Sequence, residues 1–158
     1  MLFWILITFG AVLLDQLTKR FAVLYLQEID TLPIIKDVIH LTYSENTGAA
    51  FGMLKDHRWI FLVFSSVAII AIVAYLIVSK PKNKLYVTAL AFVLAGGIGN
   101  MIDRIAYGYV VDFIDFTLIN FAIFNVADSF ITVGACLLVL YFGLYEFKSV
   151  KKNENNGN

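Results

Sequence analysis

WIFLVFSSVAIIAIVAYLIV, from Trp59 to Val78, runs for twenty residues without a charge. A helix rises 1.5 Å per residue, so about 20 apolar residues cross about 30 Å of hydrocarbon. This one stretch makes lipid the solvent. Working outward, Leu85 to Ile102 adds eighteen uncharged residues, and Phe130 to Phe147 carries only Glu146 near its end. Leu2 to about Leu24 is a further apolar run, interrupted by Asp15, Gln16, Lys19 and Arg20. The pattern predicts an all-α integral membrane protein. Its four transmembrane helices fall at about 2–24, 59–78, 85–102 and 129–147, in a single polytopic domain over residues 1–150. Residues 151–158 read as a polar, disordered cytoplasmic tail. No basic segment precedes Leu2 and no small-x-small site follows the first apolar run, so that run reads as a resident helix rather than a cleavable leader.

Composition agrees and excludes other classes. Sixty per cent of the 158 residues are apolar and only 15% are charged, where a soluble chain carries about 25%. Twelve basic residues against twelve acidic ones exclude a nucleic-acid binder working through net charge. A single cysteine excludes an internal disulfide and a Cys-rich metal site.

Orientation follows from the lysines. Lys80, Lys82 and Lys84 lie between the second and third helices, and Lys148, Lys151 and Lys152 follow the fourth. A four-helix topology puts these segments on one side, and together they hold six of the twelve basic residues. The positive-inside rule places them, and the N-terminus, in the cytoplasm. Residues 25–58 and 105–127 are then the outer segments. In the first, Ile39, Leu41 and Tyr43 alternate with His40, Thr42 and Ser44, the period-two signal of a strand. Pro33 suits an edge or turn position, and Asn46-Thr47-Gly48 reads as a turn. A small extracytoplasmic β element results.

On this topology the acids gather at one depth. Asp15 lies about 20 Å along the outward-running first helix. Asn100, Asp103 and Arg104 end the third helix, Asn125 and Asp128 open the fourth, and Asp112 and Asp115 lie in the connection between them. Each has a structural reading beside a functional one. Asp15 and Lys19 stand four apart on one face and can form a simple pair or an active-site scaffold. Asp103 and Arg104 can be interfacial charges. Asn125 can cap the fourth helix with Asp128 three residues on. Asp112 can be a solvent-facing loop acid. Convergence of several segments on one level favours function, since acids are costly at membrane depth.

Two carboxylates within hydrogen-bond reach cannot both ionise cheaply, so such a pair shares a proton. One member can then activate water while the other donates to the carbonyl oxygen, as in aspartic proteases. Rival chemistries lack their residues. No H-E-x-x-H or G-x-S-x-G occurs. His40 and His57 read as surface histidines without metal-ligand spacing, and Cys136 as a small apolar residue inside the fourth helix. Gly96-Gly97-Ile98-Gly99 lies within a membrane helix and reads as a close-packing surface.

Five motifs, in order, resemble bacterial lipoprotein signal peptidase (signal peptidase II). They are Asp15-Gln16-Leu17-Thr18-Lys19, Asn46-Thr47-Gly48-Ala49-Ala50-Phe51-Gly52, Gly99-Asn100-Met101-Ile102-Asp103-Arg104, Val110-Val111-Asp112-Phe113-Ile114-Asp115 and Phe124-Asn125-Val126-Ala127-Asp128-Ser129. The resemblance implies a membrane-embedded aspartic endopeptidase of the bacterial cytoplasmic membrane. Its substrates would be diacylglyceryl-modified prolipoproteins, cut just before the lipidated cysteine at the outer face. The family's catalytic pair maps onto Asp112 and Asp128. Supporting residues map onto Asp15, Lys19, Asn46, Asn100, Asp103, Arg104 and Asn125, with Gly48 and Ala49 allowing close backbone approach. Asp103 is the second choice of catalytic acid, its neighbour Arg104 suggesting a paired scaffold role. The implied partners are prolipoprotein substrates, membrane lipids and a globomycin-type cyclic peptide inhibitor, with no metal, cofactor or nucleic acid. One departure from the family is the short connection 116–123, where Ala122 occupies the usual proline region. A proton-coupled carrier and a non-catalytic lipoprotein-binding module are the alternatives. The near absence of ionisable groups in the inner helix halves opposes the first, and the acid pair opposes the second.

Overall fold

Helices are one of the two spanning structures that satisfy their backbone inside lipid, and these four apolar segments form them. The computed structural model describes residues 2–48 and 57–156. The helices are α1 (Leu2–Leu26), α2 (Arg58–Ser79), α3 (Lys84–Ala106) and α4 (Val126–Asn156). All four are long and apolar enough to cross a membrane, and each expected span lies largely inside one of them. Their ends run further than hydropathy marks. Polar residues continue a helix cheaply once it is nucleated, because each added residue gains a hydrogen bond. The same reason applies to α4, whose backbone stays helical to Asn156 where the polar sequence reads as a disordered tail.

α3 is the central helix and packs against α1, α2 and α4. Its buried face is built from small residues, including Ala89, Ala91, Ala95, Gly96 and Gly99. A Cβ at Gly96 would strike the backbone carbonyl of Ala127, so the glycine permits α3 and α4 to approach this closely. α2 instead presents Val63, Phe64, Val67 and Ile70 outward, as a helix facing lipid should.

Outside the helices lies an antiparallel sheet of β1 (Thr31–Ile35), β2 (Ile39–Asn46) and β3 (Val110–Asp115), in the order β1-β2-β3. β2 is the strand that the alternation of Ile39, Leu41 and Tyr43 predicts. Pro33 lies in the edge strand β1, opposite His40, where its missing N–H costs no ladder bond to a further strand. β3 was not expected: Asp112 and Asp115 were assigned to a connection. Val110-Val111-Asp112-Phe113 has no alternation to betray it, because its first four residues are all buried. His40 corrects a second expectation. It is half-buried in β2 rather than a surface side chain, and its Nε2 is enclosed.

Two attachments fix the sheet to the helices. Val111 and Phe113 of β3 pack with Ala22 and Leu26 at the end of α1. The chain returning toward α4 bonds to β3 through Phe124 N–H to Ile114 O (3.1 Å) and Ile114 N–H to Phe124 O (2.8 Å). The short connection 116–123 manages its reversal with a 3-10 turn, Thr117–Ile119, closed by Asn120 at φ 48°. Asparagine tolerates that left-handed conformation better than most residues. Phe116 then stacks on Phe124 at 5.7 Å.

Candidate active site

Three polar layers build the site, from the interior of the bundle outward to a cavity. The innermost is ionic. Asp15 and Lys19 share one face of α1, and Lys19 Nζ lies 2.9 Å from Asp15 Oδ2 and 3.1 Å from Asp103 Oδ2. All three side chains are buried. Gly99 makes this possible: a Cβ there would collide with the Asp15 carboxylate. The two acids also hold distant backbone. Asp15 Oδ1 accepts from Ala127 N–H (2.8 Å), near the start of α4, and Asp103 Oδ2 accepts from Val111 N–H (3.1 Å), in β3. This ionic layer therefore locates the two segments that carry Asp112 and Asp128.

Asp103 takes Lys19 as its partner, not the adjacent Arg104. Consecutive helical residues point about 100° apart, so sequence neighbours on a helix do not face each other. Arg104 turns the other way. It donates from Nη2 to Gly48 O (3.0 Å) and from Nη1 to Asn100 O (3.4 Å), with its guanidinium 4.6 Å from the Phe61 ring centroid. Gln16 was missed as a site residue. Its Nε2 donates to Asp103 Oδ1 (3.0 Å), Asp15 Oδ2 (3.1 Å) and Gly99 O (3.3 Å), giving each acid a third donor. Its place within the Asp15–Lys19 motif was the available signal.

The middle layer is made of amides. An ammonium group can only donate, so Lys19 Nζ at 2.9 Å fixes Asn100 Oδ1 toward itself. Asn100 Nδ2 must then point outward, where it donates to Asp128 Oδ1 at 2.7 Å. Asn125 Nδ2 donates both to Asn100 Oδ1 (3.0 Å) and to Asp112 Oδ1 (2.6 Å). Asn125 is fully buried, so its orientation is set by these partners.

The outer layer is the acid pair. Asp112 stands opposite Ser44 in the sheet, and Asn46 stands opposite Val110. Residues two apart on a strand share a face, so Asn46 and Asp112 are diagonal neighbours, and Asn46 Nδ2 reaches Asp112 Oδ2 at 2.9 Å. Asp128 forms a capping box with Asn125. Asp128 N–H donates to Asn125 Oδ1 (2.9 Å) while Asp128 Oδ2 accepts from Asn125 N–H (3.2 Å). The capping reading and the active-site reading of Asp128 thus describe one side chain: the cap aims the carboxylate. Asp112 and Asp128 both line a cavity of about 580 Å³. Asn46, Gly48, Asn100 and Arg104 give it a polar wall, and Phe61, Phe121, Ile131 and Val133 an apolar one.

Burial pushes the Asp112 carboxyl up to about 7, and the negative charge of Asp128 acts the same way. The amides of Asn46 and Asn125, and the charge of Lys19, pull in the opposite direction without cancelling it. An acid in this condition can hold a proton near neutral pH and donate it. Its neighbour in the same cavity can accept one from water.

Of the eleven site residues singled out from the sequence, the ten that the structure describes join this network or its cavity. Ala49 to Gly52, the end of the second motif, lie outside the described residues. Among the described residues no three His, Cys, Asp or Glu side chains converge as a metal site.

Comparison with known proteins places this architecture. The profile of the family described as Signal peptidase (SPase) II matches residues 7–144. A protein named lipoprotein signal peptidase from Caldanaerobacter subterraneus subsp. tengcongensis is 52% identical over 134 residues, covering 85% of this chain and 91% of that one. Another of that name from Brevibacillus brevis is 48% identical over 139 residues, covering 88% and 93%. A solved structure described as a bacterial membrane enzyme superposes with a TM-score of 0.85 at 33% identity, covering 96% of this chain and 92% of that one.

Proposed function

The chain belongs to the signal peptidase II family, and we propose that it is an aspartic endopeptidase whose catalytic pair is Asp112 and Asp128. As a family member it is a multi-pass membrane peptidase that removes signal peptides from prolipoproteins. The observation that carries the aspartic mechanism is the contrast in counter-charges. Asp15 and Asp103 each contact the Lys19 ammonium, whereas Asp112 and Asp128 face the cavity and accept hydrogen bonds from neutral amides. Only the second pair can exchange a proton without breaking an ion pair.

In the proposed reaction one carboxylate of the pair takes a proton from water as the water attacks the scissile carbonyl. The protonated member hydrogen-bonds the carbonyl oxygen, stabilises the tetrahedral intermediate and returns a proton to the leaving amine. The raised Asp112 carboxyl favours Asp112 as the proton holder, although the proton belongs to the pair. Arg104, Asn46 and the Gly48 backbone orient the substrate chain along the polar wall. The substrate class is the diacylglyceryl-modified prolipoprotein, cut just before the lipidated cysteine. A cavity with one polar and one apolar wall suits a peptide bond next to a lipid. The lysines of the α2–α3 turn and of the C-terminal segment support a topology with both termini in the cytoplasm. The site then lies near the outer face, where a signal peptide's apolar segment ends. A globomycin-type cyclic peptide, an apolar ring bearing peptide groups, would compete for the same cavity.

The deciding experiment compares cleavage of a diacylated prolipoprotein and its unlipidated form by the wild type, Asp112→Asn and Asp128→Asn. The reading requires that the wild type cut the lipidated substrate preferentially and that both folded variants be inactive. Near-normal turnover by either variant would remove the dyad.

A further inference from the structure

A second cavity lies at the opposite end of the bundle from the active site. Its volume is about 250 Å³, and Trp4 of α1, Leu76 of α2, Val87 of α3, and Lys80 and Pro81 of the α2–α3 turn line it. Val87 precedes Asn100 by thirteen residues, about 20 Å of helix, so this cavity belongs to the other membrane boundary. Three features there point to one ligand chemistry.

First, Trp4 Nε1 is buried and has no acceptor among the described residues. A buried indole N–H ordinarily finds one, because an unmet donor costs free energy. Second, Lys80 lines the same cavity, and the turn from Lys80 to Lys84 carries three lysines and no acid. None of the three forms an ion pair among the described residues. Third, the floor is apolar, with Leu76 and Val87 buried. The ligand must therefore bring an oxygen acceptor and negative charge at one end and tolerate hydrocarbon at the other.

We propose that this cavity binds the phosphate-bearing headgroup of an acidic glycerophospholipid. A phosphate oxygen accepts from Trp4 Nε1, and the Lys80 ammonium neutralises the charge. The acyl chains run along the apolar surface between α1 and α2. Basic pockets between transmembrane helices recognise anionic headgroups in this way, and tryptophan is enriched at this depth of the bilayer. A zwitterionic headgroup would bring its own cation among the lysines and bind less well. The bound lipid would tie the start of α1 to the α2–α3 turn.

The test uses the full chain in detergent micelles, with lipid retention read by native mass spectrometry and stability by the thermal midpoint. Phosphatidylglycerol should be retained and raise the midpoint, while phosphatidylcholine and inorganic phosphate should do neither. In a Trp59→Phe background Trp4 is the one remaining tryptophan, and phosphatidylglycerol should shift its emission. Trp4→Phe keeps the ring and removes the donor, and Lys80→Gln removes the charge. Each should weaken phosphatidylglycerol binding about tenfold, with signal-peptide cleavage in detergent unchanged. Lys80 is exposed, so Lys80→Gln decides the matter if Trp4→Phe fails to fold. Equal retention of phosphatidylcholine overturns the proposal, as does unaltered affinity in Lys80→Gln. Inorganic phosphate matching phosphatidylglycerol would show a plain anion site and overturn the lipid assignment.

Discussion

Four aspartates stand near one another in this protein, and they are held in two different ways. Asp15 and Asp103 are sealed in the bundle against Lys19, with backbone N–H groups and Gln16 completing their hydrogen bonds. Among the described residues, Asp112 and Asp128 accept only from asparagine side chains and one backbone N–H, and both border the cavity. A carboxylate locked to a buried cation acts as a fastener. One held by amides makes no ion pair and faces the cavity. On the proposed mechanism the same residue type therefore serves structure or catalysis according to the charge of its partner. Asn100 joins the two regions, accepting from Lys19 on one side and donating to Asp128 on the other.

Each region can be broken separately. The largest effect is expected at the amide-held pair. Asp112→Asn or Asp128→Asn should lower kcat by about 10³-fold or more, measured on a diacylated prolipoprotein, with the thermal midpoint little changed. If either variant instead has a much lowered thermal midpoint and a near-normal kcat, the two regions have been assigned the wrong way round. Next comes the fastener. Lys19→Met leaves two buried carboxylates without their cation and should cost about 3–5 kcal/mol, read as reduced resistance to denaturation. A variant as stable as the wild type would show that the ion cluster holds nothing. Gly99→Ala is a milder blow to the same cluster. Its new methyl group would meet the Asp15 carboxylate, for an expected loss of about 1–3 kcal/mol.

The smallest change sharpens the comparison through pH. Asp112 ionises ordinarily at 3.8 and here at about 7. Because the pair needs its shared proton, activity should fall as pH rises through about 7. Asn46 pulls the Asp112 carboxyl downward, so Asn46→Ala should move that falling limb to higher pH, as a pH profile of kcat/KM would record. An unmoved limb would detach the profile from Asp112. The same shift bears on stability. The folded state binds the Asp112 proton more tightly than the unfolded chain. The resulting stabilisation is complete below 3.8 and is lost as pH rises through about 7. Asp112→Asn should abolish that part of the pH dependence.

The spans and the chemistry were legible at different levels. Trp59 to Val78 announces its helix through composition alone, since a run of apolar residues has few other fates. β3 was hidden, because burial of Val110 to Phe113 removes the alternation that marks a half-exposed strand. Asp15 and Lys19 pair through helical spacing, which is readable in one dimension. The partner of Asp103 was not, because Lys19 lies eighty-four positions away in the chain and the adjacent Arg104 is the false candidate. Gln16 was overlooked for a similar reason: its value depends on three acceptors, two of them on another helix.

The solvent, the number of crossings and the level at which polar residues collect all follow from the order of residues along the chain. These depend on residue-by-residue transfer into lipid, and that sum needs no knowledge of neighbours. Long-range packing gives Asp103 the same cation as Asp15 and gives Asp112 and Asp128 amides instead. That choice depends on close approach of α1, α3 and α4 at Gly96 and Gly99. It fixes the direction of one asparagine side chain, and with it which two acids face the cavity with amides as their partners.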